Sequence, residues 1–371
     1  MGSIPVLSLF SGAGGLDLGF EEAGFRPLLA LDSSSAAVES YNTNRTRLGR
    51  PARVADLAHE DPDAIMKRWR QLAGDRTQPV GIIGGPPCQA FSVANTRKSA
   101  DDPRAALSLH YVRIFKALHA RCNLDFFVFE NVTGLARKLH SDAMSMLVKC
   151  FEETGFEVRP LFLDAVDFGV PQFRRRLFLV GFNRRHVRTS CFQLPTRTDG
   201  RVTVRDAIGG LPDPMFYTRQ SRPADIGLHP NHWCMNPRSA KFRNGTIKSG
   251  EMKARSFRRL AWDTPSWTVS YGHREVHVHP NGKRRLSVYE AMLLQGFPSW
   301  YRLSGNLSEQ IQLVSDAVPP PLARSVGLAV KDFLTGNGLP RPEEAQPSRN
   351  GHFLQLGLKG LQMIAPKSTS A

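Results

Sequence analysis

The chain has no apolar run approaching the length of a bilayer span, so no membrane-crossing helix is expected. Its N-terminus lacks a basic stretch ahead of an apolar core, so no signal peptide is expected and the setting is read as cytoplasmic. Met1-Gly2-Ser3 begins like a myristoylation site, but Val6 stands where Ser or Thr is needed. Cysteine is scarce. Five residues, Cys88, Cys122, Cys150, Cys191 and Cys234, are widely spaced and odd in number, which argues against a disulfide framework and for a reducing interior. No paired Cys-x-x-Cys exists. The groups His229, His232, Cys234 and His273, His277, His279 are irregularly spaced, so no metal centre is expected, and phosphate or base-edge contacts suit them better. Internal repeats and low-complexity tracts are also missing.

Acidic charge is the last shortage, with 33 Asp and Glu against 49 Lys and Arg and a net charge of +16. The imbalance is local. From Pro171 to Leu260 there are 19 Lys and Arg against 5 Asp and Glu, and the rest of the chain carries only +2. Arginine outnumbers lysine in that stretch, and arginine suits phosphate and guanine contacts. Charge segregated in this way implies a polyanion-binding face.

What is present is an alternation of strands and helices. Strands are expected at Val6 to Phe10, Pro27 to Leu31, Arg53 to Leu57, Val80 to Ile83, Phe126 to Phe129, Val158 to Leu163 and Leu177 to Val180. Helices are expected at Leu16 to Ala23, from a Ser33–Ser35 cap to Tyr41, from Asp61 and Pro62 to Leu72, at Ala105 to His119 and at Ser141 to Thr154. This is the signature of an α/β, doubly wound, Rossmann-like sheet. After Phe182 the pattern breaks into short segments rich in Pro, Arg, His and Asn, and helical spacing returns at Ser287 to Gln295 and Pro321 to Phe333. Residues 1–182, completed by 305–335, are read as one domain. Residues 183–304 form a smaller, irregular, strand-rich domain with its return segment, and 336–371 a loosely ordered tail.

Gly84-Gly85-Pro86-Pro87-Cys88-Gln89-Ala90-Phe91-Ser92 follows a buried strand and places one cysteine on a stiff loop, a candidate nucleophile. Ser8-Leu9-Phe10-Ser11-Gly12-Ala13-Gly14-Gly15 is a glycine turn between a strand and a helix, but lacks the third glycine of a dinucleotide fingerprint, which weakens a nicotinamide oxidoreductase reading. Asp32 and Asp56 end the second and third strands, where acids can bond a ribose or an adenine amine. Glu130 follows a very apolar strand, and burial there would raise its pKa and make it a possible proton donor. Gln172, Arg174 and Arg176, alternating in an extended segment, are expected on one side as a row of hydrogen-bonding groups.

Together these blocks resemble the DNA cytosine methyltransferases that act on carbon 5, of the bacterial restriction-modification type. Leu9 to Gly15 is similar to the family's cofactor loop, Pro86-Pro87-Cys88-Gln89 to its catalytic loop, Glu130-Asn131-Val132 to its glutamate block and Gln172-x-Arg174-x-Arg176 to its Gln-x-Arg-x-Arg block. Arg285 to Glu290, Leu294-Gln295-Gly296-Phe297-Pro298 and Ala317 to Ala323 resemble its closing blocks, and the resemblance spans residues 4–332. Two departures stand out: Ser8 where the family often has Asp, and Ser315-Asp316 where it usually has Gly-Asn.

The resemblance implies S-adenosylmethionine as methyl donor, with Phe10, Ser11, Gly12, Gly14, Gly15, Asp32, Asp56 and Pro86 around it. It implies Cys88 as the nucleophile at carbon 6 of a flipped cytosine, Glu130 at ring nitrogen 3, Arg176 at the ring oxygen, and Arg174 on a phosphate or the catalytic loop. Gln89, Ser92, Gln172, Arg175 and Thr268 are expected at double-stranded DNA. A monomer is expected, with a restriction endonuclease as a possible functional partner. Two alternatives stay open: a tRNA methyltransferase of the same fold, whose Cys-Phe-Thr signature is missing here, and a catalytically silent DNA-binding regulator.

Overall fold

Side-chain alternation along seven strands divides the apolar residues of the first half into two cores. The computed structural model describes residues 2–87, 103–136, 141–187, 192–193, 195–245, 247–249, 257–268 and 276–336. The first half runs β1 (Ile4–Leu9), α1 (Gly15–Glu22), β2 (Phe25–Asp32), α2 (Ser35–Thr43), β3 (Ala52–Val54), α3 (Pro62–Ala73), β4 (Gly81–Gly84), α4 (Pro103–Cys122), β5 (Phe126–Val132), α5 (Ser141–Glu152), β6 (Phe156–Asp164) and β7 (Arg175–Asn183). Helix starts follow the expected caps: Ser34 accepts from the Ala37 N–H, and Asp61 from the Asp63 N–H ahead of Pro62.

The sheet order is β3-β2-β1-β4-β5-β7-β6. The first five strands are parallel, while β7 runs antiparallel to both β5 and β6. Leu7, Leu9, Ile82, Phe127, Phe129 and Leu179 point to one face and pack with residues of α3, α4 and α5. Val6, Ile83, Phe126, Val128, Phe178 and Val180 point to the other, against α1 and the final helix. Chain direction switches beside β1, whose neighbours β2 and β4 are reached by crossovers on opposite sides. In open α/β sheets that switch point, outside the carboxyl ends of the strands, is where a ligand crevice opens.

Beyond β7 come α6 (Arg184–Val187), α7 (Val204–Ile208), two-residue strands β8 (Met215–Phe216), β9 (Trp233–Cys234), β10 (Arg258–Arg259) and β11 (His277–Val278), then α8 (Val288–Leu294), α9 (Leu307–Asp316) and α10 (Pro320–Leu334). This part has a small core of Val204, Ile208, Leu260, Leu286 and Leu294, against which Trp262 and Trp267 pack. Buried polar pairs hold much of the rest. Arg284 bridges Glu290 and Asp213, His232 sits between the Ser287 hydroxyl and the Pro212 carbonyl, and Asn231 exchanges two bonds with Leu303. His229, His232, His277 and His279 are buried in this packing, so their expected role as phosphate or base contacts is corrected. His273 lies outside the described residues. Helix α9 is an addition to the expected elements. Its start carries an Asn306-x-x-Glu309 capping box.

Candidate active site

The glycine turn after β1 is built by backbone that most side chains avoid. Gly12 and Gly14 have φ of 54° and 84°, and Phe10, which is not a glycine, has φ of 53°. A bulky residue in the left-handed region stores strain, and such strain concentrates where backbone approaches a ligand. The Gly12 N–H donates to Asp32 Oδ2 at 2.8 Å and the Ser34 N–H to Asp32 Oδ1 at 2.9 Å, so the acid at the end of β2 fixes both the turn and the start of α2. Burial raises the pKa of Asp32, and these backbone donors oppose the rise.

The turn is braced from beneath by residues that the sequence reading did not single out. Tyr301 donates its hydroxyl to the Ala13 carbonyl, and Arg45 donates to the Gly14 carbonyl at 3.2 Å and to the Tyr301 oxygen at 2.9 Å. Glu21 pairs with Arg45 at 2.7 Å. Asp17, fully buried on α1, accepts from the Tyr41 hydroxyl at 2.9 Å, and burial pushes its pKa up to about 6 despite the nearby Arg45 charge. Nothing in local spacing marks these residues, because their partners lie up to 288 residues away.

Glu130 lies within β5 rather than after it. The antiparallel register puts Val132 opposite Arg176, so Glu130 and Arg176 are diagonal neighbours on one face, within reach of long side chains. Arg176 Nε meets Glu130 Oε1 at 2.9 Å, and both side chains are about nine-tenths buried. Burial raises the Glu130 pKa, and Arg176 and then Arg174 pull it back. Gly85 leaves room for this carboxylate, since a Cβ there would come 2.7 Å from Glu130 Oε2. Pro86 and Pro87 continue from β4 along the same cleft. Cys88, Gln89 and Ser92 lie outside the described residues.

A single cleft of about 600 Å³ joins these pieces at the carboxyl ends of β1, β2 and β4. Phe10, Ser11, Gly12, Gly15, Asp32, Pro86, Glu130 and Arg176 all line it. From α9 and the segment after it, Asn306, Ser308, Glu309, Gln312, Ser315, Asp316, Ala317 and Val318 close the far wall; Ser315 to Val318 belong to the closing block that the resemblance returns to the cofactor side, and the other four were not expected at the site. Gln295 ties the closing blocks together by donating to the Ala317 carbonyl at 2.6 Å.

Four expected placements need correction. Gly14 is outside the cleft lining and faces Tyr41 and Arg45 instead. Asp56 stands beyond the end of β3, exposed, outside the cleft lining, and bonded to His59 and the Ala58 N–H, which lower its pKa. Arg174 is fully buried and donates to the Ser315 carbonyl at 2.5 Å, so it anchors the end of α9 instead of reaching for a phosphate. Gln172 is also fully buried, donating to the Leu294 carbonyl at 3.2 Å, so its side chain is not exposed for a DNA contact. The three members of the expected row do turn inward, but each holds a different element, because the strand begins only at Arg175. Arg175 itself is exposed and pairs with Asp164 at 3.3 Å. Thr268 donates to the Phe173 carbonyl at 2.6 Å.

This geometry meets its match in known proteins. The family model for C-5 cytosine-specific DNA methylase matches residues 4–332. The chain belongs to that family. Type II methyltransferase M.MthTI of Methanothermobacter thermautotrophicus is 32% identical, with 90% of this chain and 99% of the relative aligned. Type II methyltransferase M.FnuDI of Fusobacterium nucleatum is 33% identical over 90% of this chain and 95% of the relative. Among solved structures, a candidate DNA modification methyltransferase encoded within an E. coli prophage superposes with a TM-score of 0.72 at 24% identity, covering 90% of this chain and all of the other. The chain is therefore a C-5 cytosine DNA methyltransferase, and the Rossmann-like fold is that of its structural neighbours. Membership implies DNA as substrate and S-adenosylmethionine as the general methyl source. Among the described residues no helix is long and apolar enough to cross a membrane.

Proposed function

We propose that the chain methylates carbon 5 of a cytosine flipped out of duplex DNA, through a covalent adduct to Cys88. The observation that carries this reading is the buried Glu130–Arg176 pair facing a cleft rich in carboxylates. Asp17, Asp32, Glu130, Glu309 and Asp316 line that cleft against one cation, Arg176. A pyrophosphate would be repelled there, whereas a sulfonium and an ammonium are favoured, so the residues fit S-adenosylmethionine and not a dinucleotide. When bound, that donor supplies an electrophilic methyl group.

The remaining chemistry belongs to the protein. Carbon 5 of cytosine is a weak nucleophile. Addition of the Cys88 thiolate at carbon 6 turns the ring into an enamine, nucleophilic at carbon 5. Glu130, whose raised pKa favours a retained or shared proton, relieves the negative charge at ring nitrogen 3 and holds the exocyclic amine. Arg176 orients Glu130, lines the same cleft and in this reading holds the ring oxygen. Loss of the carbon 5 proton then breaks the bond to Cys88 and restores the aromatic ring. Phe10 supplies an aromatic face to the donor's adenine and Asp32 a carboxylate to its ribose. A stacked base is out of reach of such a cleft, which is why flipping is required. The basic second part, 183–304, holds phosphates and chooses the sequence, with Arg175, Gln89 and Ser92 beside the DNA. A monomer suffices for this work, and the relatives' names favour a partner restriction enzyme.

Bisulfite sequencing of DNA from cells expressing the chain is the test. Protected cytosines in one short sequence are expected, and conversion everywhere would overturn the reading.

A further inference from the structure

Phe10, Gly12 and Gly14 of the glycine turn all sit at positive φ, and Phe10 and Gly12 line the cleft. Backbone held this far from its preferred regions persists only where its surroundings over-determine it. On the cleft side the turn is clamped by the Asp32 carboxylate, which accepts the Gly12 N–H. From beneath it is clamped by Tyr301 and Arg45, which donate to the Ala13 and Gly14 carbonyls.

The lower clamp is held more tightly than packing alone requires. Arg302 and Leu303, the two residues after Tyr301, each exchange two bonds with an asparagine. Arg302 does so with Asn44 at 2.9 and 2.7 Å, and Leu303 with Asn231 at 2.9 and 2.8 Å. Asn44 ends α2 and Asn231 belongs to the second part, so the main chain beside Tyr301 is tied to two separate regions. The Tyr301 ring is fully buried and packs on Phe297 with centroids 5.0 Å apart. Its hydroxyl is thereby pre-set against Ala13. Arg45 is fixed as firmly, by Glu21 at 2.7 Å and by the Tyr41 ring, whose centroid is 3.8 Å from the guanidinium. A Cβ on Gly14 would come 2.9 Å from that guanidinium, so the turn rests directly on it.

We infer that Tyr301 is a positioning residue for the methyl donor: its hydroxyl keeps the glycine turn, and with it Phe10 and Gly12, in the donor-binding form. The inference rests on the reading of the cleft as the methyl-donor site. Its consequence is that the second part, which fixes the chain beside Tyr301 through Asn231, completes the donor site in addition to the DNA role proposed for it. The hydroxyl acts through the turn and touches neither substrate, so its loss should be felt in donor affinity and not in the chemical step.

Calorimetric titration of the full chain with S-adenosylmethionine tests this, together with initial rates at saturating DNA. Tyr301→Phe keeps the ring and removes the hydroxyl. It should raise the donor's Kd and KM by about tenfold, with kcat at saturating donor within about twofold of the parent. Arg45→Lys cannot hold Glu21, Tyr301 and Gly14 together, so it should raise both by about threefold or more, and it serves if Tyr301→Phe fails to fold. Tyr111→Phe controls for lost stability alone. It strips an equally buried hydroxyl from the Ile82 and Val128 carbonyls, at 3.3 and 3.1 Å, and should leave the donor's Kd within about twofold. An unchanged donor Kd with Tyr301→Phe, equal weakening by Tyr111→Phe, or a fall in kcat in place of the rise in KM would each overturn the inference. If the unmodified chain did not bind the donor, the donor site itself would be wrong, and this inference would fall with it.

Discussion

The cleft and the second part of the chain are opposites in charge. Five carboxylates face one guanidinium in the cleft, while residues 183 to 260 carry 16 Lys and Arg against 5 Asp and Glu. They also differ in how they are held. Strands of the first half are walled by fully buried Phe126, Phe127, Phe129 and Phe156, whereas the second part has two-residue strands and leans on buried pairs such as Arg284–Glu290. The contrast teaches how one chain sorts two substrates. A rigid apolar scaffold keeps carboxylates close together in spite of their repulsion, as the proposed cationic donor requires. In the proposed function an arginine-rich surface receives the polyanion, where register and water matter more than a fixed core.

Variants in the two regions should therefore fail in different ways. Glu130→Gln keeps shape and removes the proton-sharing carboxyl. Its expected loss in kcat is about 10²-fold or more, with the salt dependence of DNA binding unchanged, read by methyl transfer at saturating DNA. Gly85→Ala is a milder attack on the same group. Its Cβ would sit 2.7 Å from the Glu130 carboxylate, and the displaced carboxylate should cost roughly tenfold in kcat. Were this variant to change DNA affinity instead of turnover, the cleft would not be the chemical site.

On the basic side the outcome should invert. Arg175→Ala removes an exposed guanidinium and should lower the slope of log K against log salt by about one unit, with kcat at saturating DNA preserved. An unchanged slope would remove Arg175 from the DNA face.

A quieter test concerns the scaffold under the glycine turn. Asp17 titrates at about 6 in the fold because of burial, against 3.8 ordinarily. A raised carboxyl contributes its stability below the unfolded pKa, and that contribution is lost as pH rises through about 6. Asp17→Asn should therefore gain on the parent as pH rises from 4 to 7, by up to about 3 kcal/mol at ~1.4 kcal/mol per unit. Thermal melts at both pH values check it, and a constant difference would contradict the assigned cause.

Much of this was legible in the sequence because it is local. Strand alternation, the Ser34 and Asp61 caps, the glycine turn and Glu130 after four apolar residues each carry their signal within a few positions. Helix α9 had a capping box too, but Asn306, Ser308, Glu309 and Gln312 brought no expected site role, so most of the far wall of the cleft was missed. The brace of Arg45 and Tyr301 was not legible, because it pairs residues 256 apart. Gln172 and Arg174 were misread for a physical reason. An arginine or glutamine block predicts hydrogen bonding, yet the partner is decided by depth, and both side chains are spent on carbonyls at the ends of α8 and α9. Asp56 fails similarly, since β3 stops two residues short of it.

The central claim is that carbon 5 of cytosine receives the methyl group through Cys88. The most direct measurement incubates the full chain with unmethylated genomic DNA and methyl-labelled S-adenosylmethionine, then digests the DNA to nucleosides. Label should appear in 5-methyl-2′-deoxycytidine with the parent chain and vanish with Cys88→Ser, which should still bind DNA. Label on another base or another ring position, or undiminished label with Cys88→Ser, would contradict the account.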